Sequence, residues 1–267
     1  MDERELREVA PGVHVRHVPK WHTSSTVIVA DTASHAGGAL VVDPAMTADE
    51  IDALAEQVWR LGLVVTGGVV THAHVDHVLW RPSLGDAQRW ATPLAYAQVQ
   101  GRPEQVLSEE ATAELGIDRD VLRGVRALET DAPVLPWSGR ELRLLVHDAH
   151  APGHLALLVS DARVLVAGDM LSAREVPLLD TAALDPLAGY TVGLELLAVP
   201  LESGEVDLVV PGHGPVLDRE QAIAVLEADR AYIGALRAGD VPEDPRLVDG
   251  WVAGQHEQQV QALGITR

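Results

Sequence analysis

The chain has 267 residues, 47% of them hydrophobic, with 40 acidic against 20 basic side chains and a formal net charge of −20. That length and apolar content suit one large globular domain, while the charge disfavours a nucleic-acid backbone or an anionic membrane surface and leaves a small molecule as the expected partner. Cysteine is absent, which removes disulfides, thiolate nucleophiles and cysteine-held metals together.

The first residues, MDERELREVAPG, are charged, and no stretch reaches the ~18 consecutive apolar residues of a membrane span, so a cytoplasmic location is expected. VHVRHV (13–18), STVIVAD (25–31) and GALVVDP (38–44) are β-branched runs broken by turn residues and predict successive strands. TADEIDALAEQVWRLG (47–62) predicts a helix, with a Thr cap, a Glu three residues later and a Gly stop. LVVTGGVVTH (63–72) predicts a strand interrupted by Gly67 and Gly68. Residues 99–131 are polar and helix-like and interrupt the sheet pattern. Strands resume at 140–150, 154–160 and 162–169; a helix is expected at 185–199, a strand at 206–214, an amphipathic helix at 219–239 and a shorter one near 250–263. No repeat and no linker divides the chain, so residues 1–267 are expected to form one domain, with a helical insertion at about 99–131 and C-terminal helices from about 218.

The densest chemistry lies in VVTHAHVDHV (69–78), which places His72, His74, Asp76 and His77 directly after an apolar run. So many imidazoles and a carboxylate in one segment point to a metal, since a packed core would have to satisfy each with a hydrogen bond. Read as extended chain, the segment puts His72, His74 and Asp76 on one face and turns His77 away, so one loop could serve two ions. Three later strands end in further ligands: His154 in DAHAPGH, Asp169 in VLVAGDM and His213 in VVPGHG. Strand ends can converge at one edge of a sheet.

The set T-H-A-H-V-D-H, A-P-G-H, A-G-D and P-G-H-G, in this order, resembles the metallo-β-lactamase superfamily. The resemblance implies an α+β fold, a four-layer αββα sandwich with the metal site at one edge of its two sheets. It implies that His72, His74 and His154 hold one ion, that Asp76, His77 and His213 hold the second, and that Asp169 bridges them. With no cysteine and a bridging Asp, the pattern is closer to the glyoxalase II, lactonase and phosphodiesterase branches. Two Zn2+ are the expected cofactors, although imidazole and carboxylate ligands also suit iron or manganese.

The chemistry implied is hydrolysis of a small-molecule ester, thioester or lactone by a metal-bridging hydroxide, with Asp76 also assisting proton transfer. Two alternatives are a mononuclear iron oxygenase like the persulfide dioxygenases and, with less support, a phosphodiesterase. No GxSxG, P-loop or HExxH motif offers a rival centre.

Other residues divide by context. His14, His17, His35, His147 and His256 are read as surface or structural. His150 could support a ligand from behind, as could Asp43 toward His74 or a neighbour. His22 and Trp21 are expected near the pocket; Trp80 and Trp90 are read as core or pocket wall. Lactonases often carry Tyr where this chain has Ser172, with Tyr190 the nearest substitute. Glutathione-binding relatives use C-terminal basic residues, for which Arg219, Arg230, Tyr232 and Arg237 are available. The 99–131 insertion is expected to act either as a lid that sets specificity or as a solvated or dimerising patch.

Overall fold

The computed structural model describes residues 4–30 and 37–265; the expectation for His35 lies outside the described residues. Two sheets face each other. The first runs in spatial order β1 (Arg7–Ala10), β2 (Val13–Val18), β3 (Thr23–Val29), β4 (Gly38–Val42), β5 (Val64–Val69), β6 (Arg89–Ala91) and β7 (Val125–Ala127). The second runs β12 (Leu217–Asp218), β11 (Leu208–Pro211), β10 (Val164–Gly168), β9 (His154–Val159) and β8 (Arg143–His147).

Side-chain alternation explains the layering. In β4, Leu40 and Val42 enter the core between the sheets while Ala39 and Val41 face helix α1 (Ala48–Arg60). In β9, Leu155, Leu157 and Val159 enter the same inter-sheet core, and Ala156 and Leu158 pack beneath α6 (Pro186–Glu202) and α7 (Arg219–Ala238). Both faces of these strands are buried, so their sequences read as continuous apolar runs. Three apolar cores between four layers give the expected αββα sandwich.

The α1 prediction holds at its cap: the Thr47 hydroxyl accepts from the Glu50 N–H at 3.3 Å and the Glu50 carboxylate accepts from the Thr47 N–H at 3.0 Å. Residues 99–131 differ from their reading as a helical interruption. They contain the end of α3 (Pro93–Gly101), then α4 (Pro103–Val106) and α5 (Glu109–Leu115), but return to the sheet as β7, which pairs parallel with β6. Leu107, Leu115, Ile117 and Leu122 anchor this segment in the core against α1. The expected strands also shorten: 206–214 becomes Leu208–Pro211, and 140–150 becomes Arg143–His147. Helix α8 (Gly250–Ala262) closes the chain over α7.

Candidate metal centre

The two sheets are stitched together along one edge. Leu155 N–H donates to the Thr71 carbonyl at 2.9 Å, Ser24 N–H to that of Gly212 at 2.7 Å and Gly214 N–H to that of His22 at 2.7 Å. These bonds bring the ends of β5, β10 and β11 and the loop before β9 to a common point, where two ligand clusters form. His72, His74, His150 and Asp169 make the first; Asp76, His77 and His213 make the second; ligand atoms in each lie within 4.8 Å of one another. Asp169 stands between them. Its Oδ2 is 3.5 Å from His72 Nε2, 3.4 Å from His150 Nε2 and 3.5 Å from His213 Nε2, and its Oδ1 is 3.3 Å from His77 Nε2.

Two residues lie otherwise than the sequence reading grouped them. His154 is outside the first cluster: its Nε2 accepts the Asp169 backbone N–H at 3.0 Å, its Nδ1 is buried without a hydrogen-bond partner, and His150, expected as a support, places its Nε2 in the cluster. The reason is the turn at 151–153, which starts β9 at His154 and so directs that ring into the interior, stacked between His72 and His147 at centroid distances of 4.9 and 4.6 Å. The alternation that grouped Asp76 with His72 and His74 also fails, because Val75–Val78 is a helical turn, α2, that sets Asp76 beside His77.

Partners behind the rings fix which nitrogen faces the site. Asp43 accepts from the Thr71 N–H at 3.0 Å and the Thr71 hydroxyl at 2.6 Å, and its Oδ2 lies 2.8 Å from His77 Nδ1, so it orients His77. His150 Nδ1 meets the Leu178 carbonyl at 2.8 Å, and His213 Nδ1 meets that of Trp21 at 3.1 Å. Each contact leaves Nε2 aimed inward. Gly212 is required here, since an added Cβ would collide with the Asp169 carboxylate.

Burial, helped by crowding of the imidazoles, holds His72 well below the ordinary histidine range and His74 at about 4; burial also lowers His150. These rings are neutral lone-pair donors at pH 7. For His77 and His213 burial acts in the same sense but is overcome by Asp169 and the other carboxylates, which raise both well above the usual value. Burial opposes ionisation of Asp76 and Asp169, yet His77 and His213 keep both well below the usual carboxylate range.

The residues fit a divalent metal. The donors are ionised carboxylates and imidazoles, of which His72, His74 and His150 are neutral and His77 and His213 would release a proton to bind, and His77 Nε2 and Asp169 Oδ1 are buried without a hydrogen-bond partner. The clusters form the floor of a cleft of about 1070 Å³ that Trp21 and His22 also line, as expected. Of residues 99–131, Gln105 and Val106 reach it.

Several expected neighbours lie elsewhere. Trp80 is core, its indole N–H donating to the Gly85 carbonyl at 2.8 Å; Tyr190, on α6, is buried in the core beneath that helix. Arg230 pairs with Glu195, Glu202 and Glu227, Arg219 and Arg237 bind backbone carbonyls of α6, and Tyr232 is buried against His256, so none faces the cleft. Ser172 braces the site from below, donating to the His213 carbonyl at 2.6 Å.

Two residues escape sequence reading. Glu175 lies 3.6 Å from His213 Nδ1, and burial pushes its carboxyl up to about 7. Arg246 is buried and ties Asp229 of α7, at 2.6 Å, to the carbonyls of Ser172 and Glu175 at 3.1 and 2.9 Å. An isolated Glu or Arg in polar sequence carries no signal for such roles.

The fold and this centre define a metallo-β-lactamase-type sandwich with a His/Asp metal site. Residues 18–213 match the metallo-beta-lactamase superfamily by sequence, and the chain belongs to that family. Similar solved structures include a beta-lactamase domain protein from Burkholderia ambifaria, 22% identical with TM-score 0.63, covering 99% of this chain and 86% of that one. A metallo-beta-lactamase family protein from Thermus thermophilus is 19% identical with TM-score 0.62, covering 97% and 91%. A sec-alkylsulfatase from Pseudomonas sp. is 15% identical with TM-score 0.64, covering 97% of this chain and 50% of that one.

Proposed function

We propose that the protein is a binuclear zinc hydrolase that cleaves a small-molecule ester, thioester or lactone. The observation that carries this reading is the meeting of two ligand clusters at Asp169 on the floor of an open cleft, where the buried His77 Nε2 and Asp169 Oδ1 form no hydrogen bond. His72, His74 and His150 would hold one ion, Asp76, His77 and His213 the other, and Asp169 would contact both.

Divalent zinc would supply Lewis-acid polarisation of a carbonyl oxygen and lower the pKa of bound water to roughly 7, giving a nucleophile at neutral pH. The chain's own part is orientation and proton handling. Asp43 and the carbonyls of Leu178 and Trp21 lock three imidazoles with Nε2 inward, so the donors need no rearrangement to bind. Asp76 is ionised and 3.1 Å from His213 Nε2, placed to take a proton from a nucleophile entering between the clusters.

Elemental analysis of protein purified without added metal tests the reading, with about two zinc per chain expected. An ester, thioester and lactone panel follows. About one iron per chain with oxygen uptake on a persulfide would replace this reading with the oxygenase.

A further inference from the structure

We propose that the cleft is built for an anionic amphiphile. The labile carbonyl lies at the metal clusters, an apolar arm passes between the indoles of Trp21 and Trp251, and a terminal carboxylate is received by Lys20. This rests on the hydrolase reading above and adds a substrate class to it.

The size of the cleft comes first. About 1070 Å³ is at the upper end of the ~300–1,000 Å³ typical of drug-sized ligands, far more than a short acyl ester fills. Its walls include the apolar side chains of Met46, Val106, Leu178 and Val252. Trp21 and Trp251 line the same cleft yet are 38% and 54% exposed. An indole kept at a cleft mouth offers a large apolar face at low entropic cost to a ligand that covers it.

The two segments that carry these indoles are tied to each other. Arg174 lies 2.8 Å from His22, next to Trp21, and 3.4 Å from Asp249, whose carboxylate caps α8 and accepts the Trp251 N–H at 2.9 Å. That bridge joins the β2–β3 loop to the start of α8, so both walls are preorganised.

Charge selects the end group. Lys20 is the only lysine in a chain with 40 acidic residues. It nonetheless makes no ion pair among the described residues; its ammonium sits 4.8 Å from the Trp21 ring centroid, inside the cleft lining. Arg174, the other lining cation, is committed to His22 and Asp249. The lining acids are also engaged: Asp180 accepts the Ala182 N–H at 3.1 Å, Asp249 caps α8, and Glu175 faces His213. Lys20 is therefore the charge left for an incoming anion, beside the face that would receive the arm.

The test compares 4-nitrophenyl decanoate with the mono-4-nitrophenyl ester of decanedioic acid on the zinc-loaded protein, at low salt. The anionic ester is expected to have the higher kcat/KM by about tenfold, equivalent to about 1.4 kcal/mol. Lys20→Gln should erase that ratio, chiefly through KM, and Lys20→Arg should retain it. Trp251→Ala should raise KM for both esters. Binding is read separately, without turnover, from tryptophan fluorescence on titration with decanoate and decanedioate, both of which can present one carboxylate to the metals. The dianion should bind about tenfold tighter, and Lys20→Gln should remove the difference. Equal behaviour of the two ligands, or a ratio untouched by Lys20→Gln, overturns the proposal. Ester hydrolysis without discrimination would sink the substrate class alone; discrimination in binding without hydrolysis of either ester would sink the hydrolase reading alone.

Discussion

His150 and His154 are four residues apart, and their exchanged roles give the sharpest test at the residue scale. His150→Ala is expected to cut bound zinc from about two ions to about one per chain. His154→Leu keeps every ligand but removes the acceptor for the Asp169 N–H, so full stoichiometry should survive at saturating metal while affinity falls about 10–100-fold. His154→Gln, which offers an acceptor again, should recover part of that loss in a chelator competition. Loss of an ion on His154→Gln, with His150→Ala unaffected, would return the ligand to His154. Asp43 supports the site through three contacts. Asp43→Ala strands buried donors on Thr71 and His77 and is expected to cost about 3 kcal/mol in denaturant unfolding of the metal-free protein. Most donors at this scale can be named from sequence because imidazole and carboxylate are scarce in buried apolar context. Spacing does not reveal the turn at 151–153, which stacks the His154 ring between His72 and His147 and leaves the His150 ring at the cluster.

Among the elements, long and strongly patterned segments are legible and short ones are not. The helix from Ala48 is readable from its capping box, and Thr47→Ala should lower stability by about 1 kcal/mol with metal content unchanged. The strands β6, β7 and β12 have three, three and two residues. No such length carries a period, so their pairing is decided by neighbours rather than by local preference. Gly67 and Gly68 read as an interruption but lie inside β5. At Gly68 a Cβ would come within 2.8 Å of Arg89 and Trp80 side-chain carbons, so close packing rather than a turn requires the glycine. Gly68→Ala is expected to cost about 1–3 kcal/mol, seen as a lower midpoint in urea.

For the whole molecule, metal binding, protonation and folding are linked. Without metal, the Asp carboxylates raise the pKa values of His77 and His213, so both hold protons near neutrality that an ion must displace. Zinc uptake should therefore release protons, and apparent affinity should fall as pH falls; calorimetry in buffers of different ionisation enthalpy reads this directly. Each zinc ion at about 1,000 times its Kd should stabilise the fold by about 4 kcal/mol, so loss of one ion should lower Tm by roughly 10 °C and chelation of both by more. Among the described residues no helix is long and apolar enough to cross a membrane. By itself, the sequence determined the order of the main strands and helices and the chemical identity of the donors, because apolar periodicity and ligand type are local properties of the chain; the layered plan followed from the resemblance of its four motifs to a known family. Only the tertiary structure brings His150 Nε2 among the clustered donors, sets Asp43 behind His77 and lines one cleft with Trp21, Lys20 and Trp251. Those relations are set by turns and by packing between segments up to about 230 residues apart, which no local pattern encodes.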